Sequence, residues 1–175
     1  GLQDVFFKLA LPFDSEESQA LSRRIAEEIY YAALKASCEL AQTHGAHPSF
    51  SETKAAKGIL QFDFWDIPVH DSARFDTLRE EIKKHGLRNS LIIAIAPTAT
   101  IASITGCYEC IEPQVSNLFK RETLSGDFLQ INTYLVQDLK SMGLWNDDIR
   151  TKIKLANGSI QKISAIPDSL KAIYR

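Results

Sequence analysis

The chain has 175 residues, 45% of them hydrophobic and 24% charged, with a formal net charge of −2. With no basic excess there is no counterion-release drive toward nonspecific nucleic-acid binding. No apolar run reaches the roughly 18–20 residues of a membrane helix, and no basic-then-apolar leader opens the chain. Three cysteines do not form an extracellular disulfide framework and fit a reducing, cytoplasmic setting. The length fits one domain or part of one. The first residues run straight into Leu2-Gln3-Asp4-Val5-Phe6-Phe7, and Leu170, Ile173 and Tyr174 pattern an amphipathic helix at the other end. We therefore expect residues 1–175 to be a single partial domain, a piece of a longer protein.

Spacing predicts a helix from Asp14 to Gln42, with an Asp14/Glu17 capping box and an apolar stripe of Leu21, Ile25, Ile29, Ala33, Ala36 and Leu40. Gly45 and Pro48 end it. Residues 46–70 read as an irregular aromatic loop carrying Phe50, Phe62, Phe64 and Trp65. Loops of that length inside a domain are often functional. Asp71 or Ser72 caps a second helix with Phe75, Leu78 and Ile82 inward and Gly86 beyond its end. Leu91–Ala96 is an unalternating apolar run, expected as a buried strand of a parallel sheet. It stops at Pro97, and a short helix from about Thr100 to Ile104 follows. Residues 115–131 suggest a hairpin turning at Ser125-Gly126. Asn132, Asn146 and Pro167 open three further helices, the first two closed by Gly143 and Asn157-Gly158. Helix, strand, turn and helix in that order are an α/β grammar.

The strand-to-helix turn Pro97-Thr98-Ala99-Thr100 carries the clearest chemistry. Small residues let the backbone approach a ligand, two hydroxyls can donate, and N–H groups at a helix start favour anions. The alternative is an ordinary turn with a threonine cap. Cys107-Tyr108-Glu109-Cys110 is a C-x-x-C, but no second ligand pair or thioredoxin-like order accompanies it. Histidines 44, 47, 70 and 85 complete no metal set. P-loop, dinucleotide and nucleophile-elbow patterns do not occur.

Longer words point to a family. Gly1-Leu2-Gln3-Asp4-Val5-Phe6-Phe7, the helix Glu28–Ala41, Lys57-Gly58-Ile59-Leu60-Gln61-Phe62-Asp63 and His85-Gly86-Leu87-Arg88-Asn89-Ser90 occur in order. Ile111-Glu112-Pro113, Leu124-Ser125-Gly126-Asp127-Phe128 and Asn157-Gly158-Ser159-Ile160-Gln161 follow. Over essentially its whole length the chain resembles the large (alpha) subunit of class I ribonucleoside-diphosphate reductase.

The resemblance implies a helix-rich α/β piece from the C-terminal half of a ten-stranded catalytic barrel. It implies a parent enzyme that reduces ribonucleoside diphosphates by thiyl-radical chemistry. The implied partners are a nucleoside diphosphate substrate, a metal-containing small (beta) subunit that generates the radical, a second alpha subunit, and thioredoxin or glutaredoxin as reductant. ATP and deoxynucleotides are the implied effectors. Thr98, Ala99, Thr100 and Ile101 are the implied substrate-binding residues, holding the diphosphate; Ile101 stands where close relatives often carry Ser or Thr, leaving only its N–H to bond. The family's radical cysteine falls before Gly1, and its relay tyrosines and reductant cysteines fall beyond Arg175. No catalytic role therefore passes to Cys38, Cys107 or Cys110, and the isolated chain is expected to be inactive. A nonenzymatic phosphate- or nucleotide-binding module is the alternative, as is an interaction domain docking through the aromatic loop.

Overall fold

The computed structural model describes residues 1–123 and 126–175. They fall into two compact units: Gly1–Gln19 with Ala96–Arg175, and Ala20–Ile95. The fold is helix-rich. Among the described residues there are seven α-helices and two strands, with no closed barrel.

Within residues 20–95 the long helix α2 (Glu16–His44) packs against α3 (Ser72–His85) and three short 3-10 turns. Its first turn is capped by Ser15 rather than Asp14: the Ser15 hydroxyl accepts from the Ser18 N–H at 3.1 Å. The buried face is also rotated from the expected stripe. Leu34, Cys38 and Ala41 are buried with Glu27 and Ser37, whereas Ile29 and Leu40 lie about half exposed at 54% and 46%. Polar residues occupy this face because each has a bonding partner there. The Ser37 hydroxyl donates to Asn89 and accepts from the Asn89 N–H, both at 2.9 Å. The Glu27 carboxylate accepts from the His70 and Asp71 N–H groups, 2.9–3.3 Å away. It thereby holds the chain entering α3, whose own cap is Asp71 as expected.

The aromatic loop divides in two. Phe50 and Phe62 pack on this core, while Phe64 and Trp65 are exposed. The Lys57–Asp63 word is a structural knot. The Asp63 carboxylate accepts from the Leu60 N–H at 2.6 Å and receives both terminal nitrogens of Arg79 at 2.6 and 2.8 Å. Arg79 also donates to the Gly58 carbonyl and lies 5.2 Å from the Phe62 ring. Its hydrogen bond holds the Asp63 carboxyl below its ordinary value of 3.8. A depressed carboxyl stabilises the fold above its unfolded pKa, and that contribution is lost as pH falls through the depressed value. We therefore expect the wild type to lose stability below about pH 4 more steeply than Asp63→Asn, read as urea midpoints at pH 6, 4 and 3. Parallel curves for the two proteins would remove Asp63 from the acid response.

The run 91–96 pairs with no strand among the described residues, and its side chains are exposed except that of Ile92, which packs half-buried on the core. Leu91 is 87% exposed and Ile95 67%. The expectation of a buried parallel strand is therefore corrected for this chain. A strand needs neighbours for its N–H and C=O groups, and the described residues supply none here.

The other unit is built on α1 (Leu2–Lys8), α4 (Ala99–Thr105), the hairpin β1 (Leu118–Thr123) and β2 (Gly126–Ile131), and helices α5 (Thr133–Ser141), α6 (Asp147–Leu155) and α7 (Asp168–Ile173). The strands are antiparallel, with Leu118 opposite Ile131 and Arg121 opposite Phe128. The expected hairpin is present, although Leu124 and Ser125 of its turn lie outside the described residues. Phe7, Leu135, Leu139, Ile149, Ile153, Ile160, Ile163, Ile166, Leu170 and Tyr174 form its core.

Two asparagines organise that core. Asn132 is fully buried, and its carboxamide oxygen caps α5 by accepting from the Tyr134 and Leu135 N–H groups. Its amide donates to the Asn117 carboxamide oxygen at 2.9 Å. Asn117 in turn donates to the carbonyls of Gly158 and Tyr174 at 3.2 and 3.0 Å. Asn146 caps α6, as its position before Ile149 suggested.

Candidate functional site

The turn at Pro97–Ile101 is built from a backbone reversal. Thr98 precedes α4 in the left-handed region, at φ 54°. The first intrahelical bond runs from the Ala102 N–H to the Thr98 carbonyl at 2.8 Å. The N–H groups of Ala99, Thr100 and Ile101 therefore precede the helical ladder. All three residues are exposed.

The four hydroxyls along this segment differ in their commitments. Ser103 donates to the Ala99 carbonyl and Thr105 to the Ile101 carbonyl, at 2.9 and 3.0 Å. The Thr98 hydroxyl oxygen accepts from the Cys110 N–H at 2.9 Å. The Thr100 hydroxyl has no partner among the described residues and stands open. The Ile101 side chain, 65% exposed, offers only carbon, as its identity requires. Thr98, Ala99, Thr100 and Ile101 thus sit together, but the two threonine hydroxyls are not equivalent.

Beyond α4 lies a cleft of about 870 Å³ within the same unit, lined among others by Asp4, Cys107, Tyr108, Glu109, Arg121 and Tyr134. Asp4 is its organiser. One carboxylate oxygen accepts from the Tyr108 N–H at 2.8 Å, the other from the Tyr134 hydroxyl at 3.1 Å. Burial, then the nearby Asp4 charge, pushes the Tyr108 hydroxyl well above the usual tyrosine range. Burial and the bond to Asp4 raise Tyr134 as well. Both phenols therefore stay protonated at neutral pH, and that of Tyr134 donates to Asp4. Sequence reading had placed Asp4 only within a family word. The available signal was an acidic residue directly before the apolar Val5-Phe6-Phe7 of the opening helix.

Cys107 and Cys110 are free and half-buried, and Cys107 Sγ lies 3.1 Å from the Thr105 hydroxyl. Cys38 is buried in the other unit, where burial pushes its thiol up. No group of three or more His, Cys, Asp or Glu side chains among the described residues is placed to hold a metal ion. No helix there is long and apolar enough to cross a membrane.

Comparison with known proteins agrees with the order of the sequence words. The family model described as ribonucleotide reductase, barrel domain, matches residues 1–175. The chain belongs to this ribonucleotide reductase barrel-domain family. It is 47% identical over 175 residues to ribonucleoside-diphosphate reductase large chain 2 of Saccharomyces cerevisiae, covering all of this chain and 20% of that protein. It is 46% identical to the large subunit of Caenorhabditis elegans and 47% to that of Arabidopsis thaliana, covering 22% and 21% of them. Among solved structures it is similar to the class Id ribonucleotide reductase alpha subunit of Actinobacillus ureae. The TM-score there is 0.68 at 23% identity, covering all of this chain and 26% of that one. The chain spans about a fifth of the length of the curated relatives it matches.

Proposed function

We propose that residues 1–175 are a partial domain of a ribonucleoside-diphosphate reductase large subunit, a piece of its ten-stranded barrel. The observation that carries this is the family match over every residue, with 47% identity to a reductase large chain. On this reading the whole protein reduces ribonucleoside diphosphates in the cytoplasm. It works with a radical-generating small subunit, a second large subunit, and thioredoxin or glutaredoxin, under ATP and deoxynucleotide effectors. Thiyl-radical chemistry belongs to residues outside this segment.

The segment's own contribution is the turn at 98–101, which we assign to the substrate's diphosphate. Three N–H groups ahead of a helical ladder and one open hydroxyl at Thr100 suit phosphate oxygens, and residues 98–101 carry no carboxylate of their own. The Ile101 side chain adds no polar contact. In the full-length subunit, assayed with its small subunit, Thr100→Val is expected to raise KM for cytidine diphosphate about 10-fold with kcat little changed. A hydrogen bond to a charged group contributes about 1.5–3 kcal/mol. Unchanged KM and kcat/KM would remove Thr100 from the assignment.

A further inference from the structure

We infer that Asn157 is a latent deamidation site, held closed in the folded unit by two bonds to the Asn157–Gly158 peptide group. The fold itself requires this pair of residues. The chain leaves α6 through two successive left-handed residues, φ 50° at Asn157 and 89° at Gly158. Asparagine is among the few residues with a Cβ that enter that region routinely. Position 158 takes only glycine, since a Cβ there would lie 2.6 Å from the Leu118 nitrogen. An asparagine followed by glycine is also the pair in which the next backbone nitrogen attacks the side chain most easily, because the second residue has no Cβ in the way.

In that reaction the Gly158 nitrogen loses its proton and attacks Asn157 Cγ. A C–N bond forms, the bond to the side-chain nitrogen breaks, and that nitrogen leaves with the proton as ammonia. Water then opens the five-membered imide at either carbonyl, giving aspartate or isoaspartate. Only water enters as co-reactant, and Asn157 is exposed to it.

The peptide group between the two residues is held at both its polar atoms. The Gly158 N–H donates to the Ile153 carbonyl at 2.9 Å, which occupies the proton that must leave. The Asn157 carbonyl accepts from the Ser116 hydroxyl at 3.0 Å. Ring closure has to turn this peptide group toward the side chain, so both bonds open first. Ser116 comes from outside α6 and also donates to the Leu118 carbonyl at the start of β1. The chemical lifetime of Asn157 is thereby tied to the seating of the hairpin. The product does not fit the folded unit. Isoaspartate lengthens the main chain by one carbon directly before Gly158, whose carbonyl is anchored by the buried Asn117 amide at 3.2 Å. Its new carboxylate also stands at the C-terminal end of α6, against the helix dipole.

The test follows the tryptic peptide Leu155–Lys162 of the full-length large subunit by mass spectrometry during incubation at pH 8. A synthetic 155–162 peptide gives the rate without protection. We expect the wild type to convert at least about 10-fold more slowly than that peptide, because two bonds must open together. Ser116→Ala should convert about 5-fold faster than the wild type, the loss of one neutral hydrogen bond. Gly143→Ala strains the same unit at a position with nothing within 4 Å and should convert at the wild-type rate. A stable synthetic peptide, or a wild type as fast as the peptide, would overturn the inference. So would Ser116→Ala at the wild-type rate, or Gly143→Ala as fast as Ser116→Ala, which would make general loosening of the unit the cause.

Discussion

Gly158→Ala should abolish soluble, native full-length subunit, or lower its melting temperature more than any other single methyl addition in the segment. Gly158 sits at φ 89°, where an L side chain is strained. A Cβ there would overlap the Ser116 hydroxyl and lie 2.6 Å from the Leu118 backbone nitrogen. Backbone cannot swing aside as a lysine tip can. The Ser116 hydroxyl already donates to the Leu118 and Asn157 carbonyls, so a shift there also breaks the link between the hairpin and the end of α6. The Gly158 carbonyl is itself an acceptor for Asn117. Left-handed strain of about 1–2 kcal/mol and overpacking of about 1–3 kcal/mol add at one point. The control is Gly143→Ala, at φ 69° with nothing within 4 Å of its Cβ position. It bears the strain alone and should cost about 1–2 kcal/mol. Equal melting temperatures for the two variants would show that close approach is not what requires glycine at 158.

Asn132→Ala should cost about 2–4 kcal/mol, summing a lost helix cap and an orphaned buried carboxamide. Its oxygen satisfies two N–H groups of α5, and its amide satisfies Asn117 at the centre of the unit. Asn132→Asp separates the two roles. The carboxylate still caps α5, but it turns an acceptor toward the Asn117 carboxamide oxygen in a fully buried place. Aspartate should therefore rescue little of the loss. The same pair at Asn146, whose oxygen caps α6 through the Ile149 N–H alone, should behave differently: alanine costs about 1 kcal/mol and aspartate almost nothing. Thermal unfolding of the four variants reads this directly. Full rescue by Asn132→Asp would show that the cap, not the Asn117 link, carries the effect.

Local signals in the sequence were read well where one residue decides the outcome. Asp71, Asn132 and Asn146 announced helix starts, and Gly86 and Gly143 their ends, because capping is a short-range event. The stripe on α2 was misplaced because periodicity counts carbon. Its buried face is chosen partly by Glu27 and Ser37, whose partners lie more than 40 residues away in sequence. Leu91–Ala96 was misread because a continuous apolar run gives composition and not pairing. Whether it becomes a strand depends on neighbours that the described residues do not provide.

The turn at 98–101 was legible as small, hydroxyl-bearing and ahead of a helix. The bond that Thr98 accepts from the Cys110 N–H was not, because its partner lies 12 residues downstream and no local pattern encodes it. Three residues of the family words prove to be structural: Asp4 and Asp63 each accept from backbone N–H groups, and Gly158 lets backbone approach closely.

The most direct test of the central claim is a crystal structure of the full-length subunit with cytidine diphosphate bound. The account predicts diphosphate oxygens at about 3 Å from the N–H groups of Ala99, Thr100 and Ile101 and from the Thr100 hydroxyl, with the Thr98 hydroxyl still accepting from Cys110. A diphosphate held elsewhere, with those N–H groups facing solvent or another segment, would contradict it.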